Sequence, residues 1–441
     1  MNAPGQTATL RISNERAVLS HSLWTATANP APARPALSGS VEADVVVVGG
    51  GFTGLSTALH LAERGVKVTL LEAESPGWGA SGRNGGQVNP GLKAKPEETI
   101  AAHGADLGGR MVALSGGAGD LVFGLIEKHG IRCDAARTGW IRAAVTPRDM
   151  AVLRETGRQW RARGDAVEPL TANEMADLLG NRAYIGGLID RRGGNLHPLN
   201  YALGLADAAE RAGATLHGNS RVADVTATGE TATVRTVAGA SVTAKRAILC
   251  TNAYTACLAA PLGQTVIPVT SLQVATAPLG DNLAATILPQ GHSPSDTRRL
   301  LLYFRKDAAG RFLMGGRGAM GDASVRARHR ALREAAVMLY PQLKGVEWTH
   351  AWGGDVAITP SQAPGLHQIA PRVMAALGYN GRGVGMATAM GTVLAEWGAG
   401  APVDALDFPV TKARPIPFHR FRRVGLSATA AAFRALDRLG F

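Results

Sequence analysis

Cysteine is scarce in this chain: Cys133, Cys250 and Cys257 are its three, and no two stand as Cys-x-x-Cys. That excludes a disulfide framework and a cysteine-built metal site, so no metal is expected, and a reducing cytoplasm is the compartment the composition suits. Long apolar runs are lacking too. No stretch approaches the roughly 20 residues that span a bilayer, and no charged-then-apolar leader opens the sequence, so membrane contact is expected to be peripheral at most. Acidic residues are outnumbered, 34 against 46 lysines and arginines, which leaves a formal charge of +12. An excess of that sign suits nucleic acid, an anionic membrane surface or acidic substrates, and more simply a solvated basic surface. Aromatic residues make up only 5% and form no cluster with the basic ones, which argues against nucleic acid. There is no low-complexity tract and no repeat of solenoid period. With 46% hydrophobic residues, 441 positions leave room for two domains with full cores or one large domain with insertions.

The strongest pattern runs from Asp44 to Glu72. Four β-branched residues, Val45 to Val48, enter the turn Gly49-Gly50-Gly51-Phe52-Thr53-Gly54, and Leu55, Ala58, Leu59 and Ala62 then recur at helical spacing until Gly65. A second apolar strand, Val66 to Leu71, delivers Glu72 at its tip. Gly49-x-Gly51-x-x-Gly54 alone is a weak signal. Preceded by a strand, followed by a helix and completed by a terminal acid, it points to an adenine dinucleotide: glycines admit a pyrophosphate to the backbone, the helix N-terminus faces it, and Glu72 accepts from a ribose.

Further along, residues 1–40 are rich in Ala, Pro, Ser and Asn and predict an extended arm. The glycine-dense run Gly77 to Gln87 is either a surface linker or a place where backbone presses on a ligand, and its position after the second strand favours the ligand. Residues 97–180 read as mainly helical packing elements, with an apolar face Leu121, Val122, Leu125, Ile126 and a capping box at Thr171-x-x-Glu174. Strand and helix alternate again from Tyr184; Arg246 to Tyr254 is an apolar strand opening into a polar turn at Thr251 and Asn252, as suits a strand end facing a bound ligand. Alternation at Val266 to Thr276, Leu300 to Phe304 and Arg311 to Gly315 predicts an antiparallel sheet beside a basic helix from about Ser324 to Leu339. A second glycine turn, Gly378 to Gly385, feeds a helix to about Trp397 and is a second candidate anion site. The expected fold is therefore α/β: a Rossmann-like nucleotide-binding domain with a parallel sheet (41–96, 184–260 and 346–405), an inserted α+β substrate domain with an antiparallel sheet (97–183 and 261–345), and a basic helical tail (406–441).

Taken together and in order, the segments TANPAPARPAL, VVVVGGGFTGLS, WGASGRNGGQ, GGNLHPLNYALG, LCTNAY, LLYFR, MGGR and LDRLGF resemble the flavin-dependent amine oxidases of the D-amino-acid and glycine oxidase superfamily, over nearly the whole chain. The resemblance implies FAD. It assigns Gly49, Gly51 and Gly54, with Phe52 and Thr53, to the pyrophosphate and Glu72 to the ribose. Ala80, Ser81, Arg83, Asn84, Gly85, Gly86 and Gln87 would line the passage to the flavin, and the backbone of Val222 would lie near the adenine. Thr251 and Asn252 would face the cofactor, and Gly381, Arg382, Gly383 and Val384 would sit at the flavin carbonyl. Two departures stand out: Arg382 replaces a histidine common among relatives, and Leu301 to Arg305 has aliphatic and Phe residues where polyamine-specific relatives carry polar ones or Tyr. No histidine stands at Ala80-Ser81 to tether the cofactor, so non-covalent FAD is expected.

The chemistry so implied is oxidation of an amine or amino acid to an imine, which needs placement and a positive field rather than a protein nucleophile. Arg305 and Arg317 are candidates to bind a substrate carboxylate or are solvated surface residues; Tyr303 either orients the amine or packs with its hydroxyl satisfied; Trp352 either walls the pocket or packs. His197 before Pro198 reads as a helix cap more readily than as a proton carrier. Oxygen is the expected electron acceptor, with release of hydrogen peroxide. The alternatives are a D-amino-acid or cyclic imino-acid dehydrogenase passing electrons to a quinone, suggested by the basic tail Arg414 to Arg438, and a flavin-binding protein without turnover. A nicotinamide enzyme is disfavoured because no second Gly-x-Gly-x-x-Gly follows a strand.

Overall fold

The computed structural model describes residues 22–255, 258, 261–319, 322–422 and 425, without the side chains of 317–319 and 322–324. Two sheets organise it. The first has nine strands. Ser40–Val48 lies in parallel between Val68–Leu71 and Ser241–Leu249, and Thr215–His217 and Val373–Leu377 extend the sheet in parallel on either side. Val45 to Val48 and Val68 to Leu71 are all buried, because helices cover one face of this sheet, Leu37, Ala232, Val234 and Ala357 pack on the other, and a parallel strand buried on two faces is largely apolar. Phe52–Ala62 is the first such helix, buried over ten of its eleven residues, and the last helix, Gly383–Gly398, packs across it. An antiparallel hairpin, Val222–Thr228 with Thr231–Thr236, pairs with the first half of Ser241–Leu249.

The second sheet has eight strands, in the order Trp348–Ile358, Ile267–Pro278, Arg311–Ala319, Leu302–Lys306, Ser293–Asp296, Trp140–Ala144, Gly186–Asp190, Val167–Thr171. All its pairings are antiparallel except Ser293–Asp296 with Trp140–Ala144. Helix Asp322–Leu339 covers one face, where Leu332, Ala336, Leu339 and Tyr340 join Phe304 and Phe312 in a core of their own. The expected boundaries at 184 and 346 need correction here. Gly186–Asp190 and Trp348–Ile358 both hydrogen-bond into this second sheet, not into the nucleotide-binding one. Their apolar alternation is equally compatible with either sheet, and pairing partners distant in sequence decide.

The arm also differs from expectation. Leu23–Ala26 forms a helical turn capped by Ser22, and Leu23 and Trp24 are buried against Trp352 and Leu313. Thr171 and Glu174 form the expected reciprocal capping box, with N–H to side-chain oxygen distances of 3.3 and 2.7 Å. The tail beyond residue 425 lies outside the described residues, as does Cys257. Among the described residues no single helix is long and apolar enough to cross a membrane.

Candidate active site

The turn after Ser40–Val48 shows why it is built from glycine. Gly49 has φ +109, and a Cβ there would sit 2.8 Å from the Cys250 carbonyl oxygen; a Cβ on Gly54 would sit 1.9 Å from the Gly49 carbonyl. Strand end and helix start are thereby pressed together, and the helix N-terminus at Gly51 opens toward a cleft. This cleft, of about 1040 Å³ with part of it open to solvent, lies between the two sheets at the carboxyl ends of the parallel strands. Gly51, Phe52, Thr53, Asn252, Tyr379, Gly381, Gly383 and Val384 line it from the first sheet's side, and Ser271, Ser295, Tyr303 and Gly354 from the second's. Ala80, Ser81, Arg83, Asn84, Gly85 and Gln87, from the glycine-rich run, complete the wall.

Two hydrogen bonds tie the turns of the first sheet into one floor. Thr53 Oγ1 and the Tyr379 hydroxyl are 2.7 Å apart, and Asn252 Oδ1 accepts the Gly378 N–H at 2.9 Å. Ser81 Oγ accepts the Phe52 N–H at 3.0 Å. Glu72 is buried beside the turn, where its carboxylate accepts the N–H groups of Gly50 (2.6 Å) and Glu74 (3.0 Å). Burial pushes its pKa up and those two bonds pull it back. Val222 opens a strand two residues after Ser220, whose N–H bonds the Glu72 carbonyl. Thr251 is held by its neighbour, Oγ1 to Oγ1 of Thr255 at 2.7 Å.

The glycine-rich run is held from behind by four side chains. The Arg83 carbonyl accepts from Gln273 Nε2 (2.6 Å) and Trp352 Nε1 (2.9 Å), the Asn84 carbonyl from Trp24 Nε1 (2.8 Å), and the Gly85 carbonyl from Arg305 Nε (2.6 Å). The Arg83 side chain is 1% exposed and lies over the Trp78 ring, 4.2 Å from its centroid. Its Nε, Nη1 and Nη2 are buried without a hydrogen-bond partner among the described residues.

Residues 44–397 match the family of FAD dependent oxidoreductases. The chain belongs to that family. A shorter match, to the pyridine nucleotide-disulphide oxidoreductases, covers residues 2–80. This oxidoreductase is 34% identical to the gamma-glutamylputrescine oxidoreductase of Escherichia coli over 95% of its length and 98% of the relative's. It is also 34% identical to a probable oxidoreductase, OrdL, of Rhizobium meliloti over 87% and 89%. In fold it is similar to glycine oxidase from Geobacillus kaustophilus (TM-score 0.70, 22% identity, covering 84% of this chain and 99% of that one) and to L-proline dehydrogenase from P. horikoshii (0.67, 19%, 81% and 93%). The residues present suit FAD. The cleft couples a turn in which a Cβ would collide, a helix N-terminus that opens into it and a buried guanidinium without a hydrogen-bond partner among the described residues, which together call for an anionic, polyoxygenated ligand.

The oxidoreductase does not bring every expected residue into its cleft. Arg305 lies behind the loop, 3% exposed, its guanidinium taken up by the carbonyls of Gly85, Lys306 and Leu196 and by Asn195 Oδ1, and stacked over Trp24. Burial brings its pKa down to about 10. Trp352 is wholly buried and packs on Trp24, so it holds the Arg83 carbonyl from behind and is not among the residues lining the cleft. Arg382 turns away from the cleft, donating to the carbonyls of Pro90 and Gly91 and lying over Trp140. Arg317 is on strand Arg311–Ala319, with its side chain outside the described residues. Gly86 packs against the Leu196 carbonyl, beneath the loop. Tyr303 does line the cleft, its hydroxyl 2.9 Å from Ser271 Oγ.

Asn89, Ser271, Ser295, Gly354 and Tyr379 were not expected in the lining. Tyr379 stands inside the second glycine turn and was open to the same reasoning as its neighbours. The serines carry no local signal, since strand pairing alone brings them there. His197 proves to be a cap: Nδ1 accepts the Asn200 N–H at 3.1 Å, and Nε2 is 3.0 Å from Thr27 Oγ1.

Proposed function

We propose that this oxidoreductase removes a hydride from the carbon of an amine or amino acid, giving an imine that water hydrolyses, with non-covalently held FAD and with oxygen reduced to hydrogen peroxide. FAD, when bound, supplies the hydride acceptor. Gly49, Gly51, Gly54, Phe52 and Thr53 would hold its pyrophosphate and Glu72 its ribose. Val222, Thr251 and Asn252 would flank it, residues 80–87 would line the passage to its ring, and Gly381, Gly383 and Val384 would face the ring carbonyl.

One observation carries the reading. Among the described residues, Arg83 is the only charged side chain lining the cleft, and no histidine or carboxylate lines it. Ser81, Ser271 and Ser295 are hydrogen-bonded to Phe52, Tyr303 and Gln87 and have no base beside them, and burial pushes the Cys250 thiol up to about 12. Acyl or group transfer by a protein nucleophile has no activated residue here. Hydride removal needs only a neutral amine held against a bound acceptor, and the Tyr303–Ser271 hydroxyl pair on the opposite wall is placed to accept from an amine N–H.

The test mixes FAD-loaded protein anaerobically with γ-glutamylputrescine, D-amino acids, proline, pipecolate and N-methyl amino acids. Bleaching of the flavin by one class, with hydrogen peroxide released in air, is expected; a flavin untouched by all of them overturns the proposal and supports a binding protein without turnover. A dehydrogenase serving a quinone is the second reading, favoured by Phe418 and Phe421, which are exposed among Arg420 and Arg422. It requires turnover with a soluble quinone to exceed turnover with oxygen.

A further inference from the structure

Beyond the cleft lies a second, smaller pocket of about 380 Å³, much of it open to solvent, where Leu92, Trp140, Trp160 and Leu188 stand beside the polar Lys93 and Arg142. It adjoins the cleft. Arg382 lies between Gly381 and Gly383 of the cleft lining and belongs to this pocket, Pro90 follows the cleft residue Asn89, and Trp140 Nε1 donates to the cleft residue Ser295 at 3.1 Å. Arg142 pairs in register with Ser295 on the neighbouring strand, as Ser295 does with Tyr303, so the three side chains share one face of the second sheet.

Arg142 has no partner to explain it. Among the described residues, none is hydrogen-bonded or ion-paired to its guanidinium, although burial is strong enough to bring its pKa down. Asp149 is the acid whose field reaches it, and Asp149 Oδ2 already accepts the hydroxyls of Thr146 (2.8 Å) and Thr297 (2.9 Å). Asp190 also lines the pocket, but its two oxygens are taken by Arg192, at 2.9 and 2.7 Å. Among the described residues no carboxylate therefore stands in ion-pair contact with Arg142, and Lys93 and Arg382 add two further cations to the pocket. The Trp140, Trp160 and Leu188 side chains limit water on one side of an ion pair formed there, and an arginine fork matches a carboxylate.

We propose that this pocket is a substrate subsite for a carboxylate remote from the carbon that is oxidised, with Arg142 as its anchor and Arg382 as the partition between the two compartments. The substrate class is then an amine whose far end bears an anion. This rests on the amine-oxidation reading, and the two are separable by experiment.

Calorimetric titration of the FAD-loaded protein with glutarate and with its neutral counterpart glutaramide is the first arm. Glutarate is expected to bind and glutaramide not, with glutarate affinity falling about tenfold or more in Arg142→Gln and partly restored in Arg142→Lys. Equal binding of the two ligands, or unchanged glutarate affinity in Arg142→Gln, overturns the subsite. The wild-type comparison alone decides if that variant does not fold. The second arm compares anaerobic flavin reduction by γ-glutamylputrescine and by its α-carboxamide. A preference for the carboxylate that Arg142→Gln removes supports the proposal; equal reduction by both in wild type sinks the subsite and leaves amine oxidation standing. If no amine reduces the flavin while glutarate still binds through Arg142, amine oxidation fails and the anion subsite remains.

Discussion

Arg83 concentrates a conflict in one residue. A buried guanidinium without an acceptor costs the folded protein about 1–3 kcal/mol, and that cost is relieved when an anionic ligand arrives. Arg83→Met should therefore act with opposite sign in two states. FAD-stripped Arg83→Met should unfold at a higher temperature than FAD-stripped wild type, while its FAD dissociation constant should rise about tenfold or more; thermal unfolding and flavin titration on the same preparations check the pair. His197 gives a prediction in pH. Its Nδ1 accepts an N–H, and Thr27 Oγ1, which already donates to Leu23, must accept from Nε2, so the neutral ring is satisfied at both nitrogens. Burial, with Arg305 nearby, brings its pKa from 6.5 to about 4. Between those values the unfolded chain holds more protons than the folded one. The contribution of His197 is whole above pH 6.5 and is lost as pH falls toward 4, by about 3 kcal/mol at most. His197→Asn, which keeps a capping acceptor, should flatten the decline of stability between pH 6.5 and 4 in denaturant titrations. At this scale the sequence showed which residue types were present but not where they point. Tyr303 and Arg305 sit two apart on one strand face, yet the first reaches the cleft and the second ends beneath Gly85, because the loop crosses the strand between them.

Among elements, the glycine-rich loop depends on others for its shape. Its three consecutive carbonyls, Arg83 to Gly85, are each drawn backward by a buried donor, so its opposite side is left to the ligand. Trp24→Phe keeps the aromatic packing on Trp352 and His197 and removes one donor. It should weaken FAD binding about twofold to tenfold and lower stability by about 1 kcal/mol, read by flavin titration and denaturant unfolding. The strand–turn–helix at Asp44 to Glu72 and the capping box at Thr171 were legible because their causes are local: periodicity, glycine spacing, a side chain reaching three residues on. The clamp on the loop was not, since Trp24, Gln273, Arg305 and Trp352 become neighbours only through pairing of distant strands.

The whole molecule joins two differently built sheets across one cleft, and alternation of strand with helix predicted the parallel one and continuous alternation of polarity the antiparallel one. Assignment of Gly186–Asp190 and Trp348–Ile358 failed for a physical reason: a strand's own pattern reports how many of its faces are buried, not which sheet buries them.

The donors that hold the loop lie 60, 190, 220 and 269 residues away from it along the chain. Closing such separations is the slow part of folding. The nucleotide turn can form early, but the loop acquires its shape only after Trp352 has docked. In refolding with FAD present, quenching of flavin fluorescence should lag behind recovery of far-ultraviolet circular dichroism, and a nascent chain should capture its cofactor only once synthesis has passed the strand that carries Trp352.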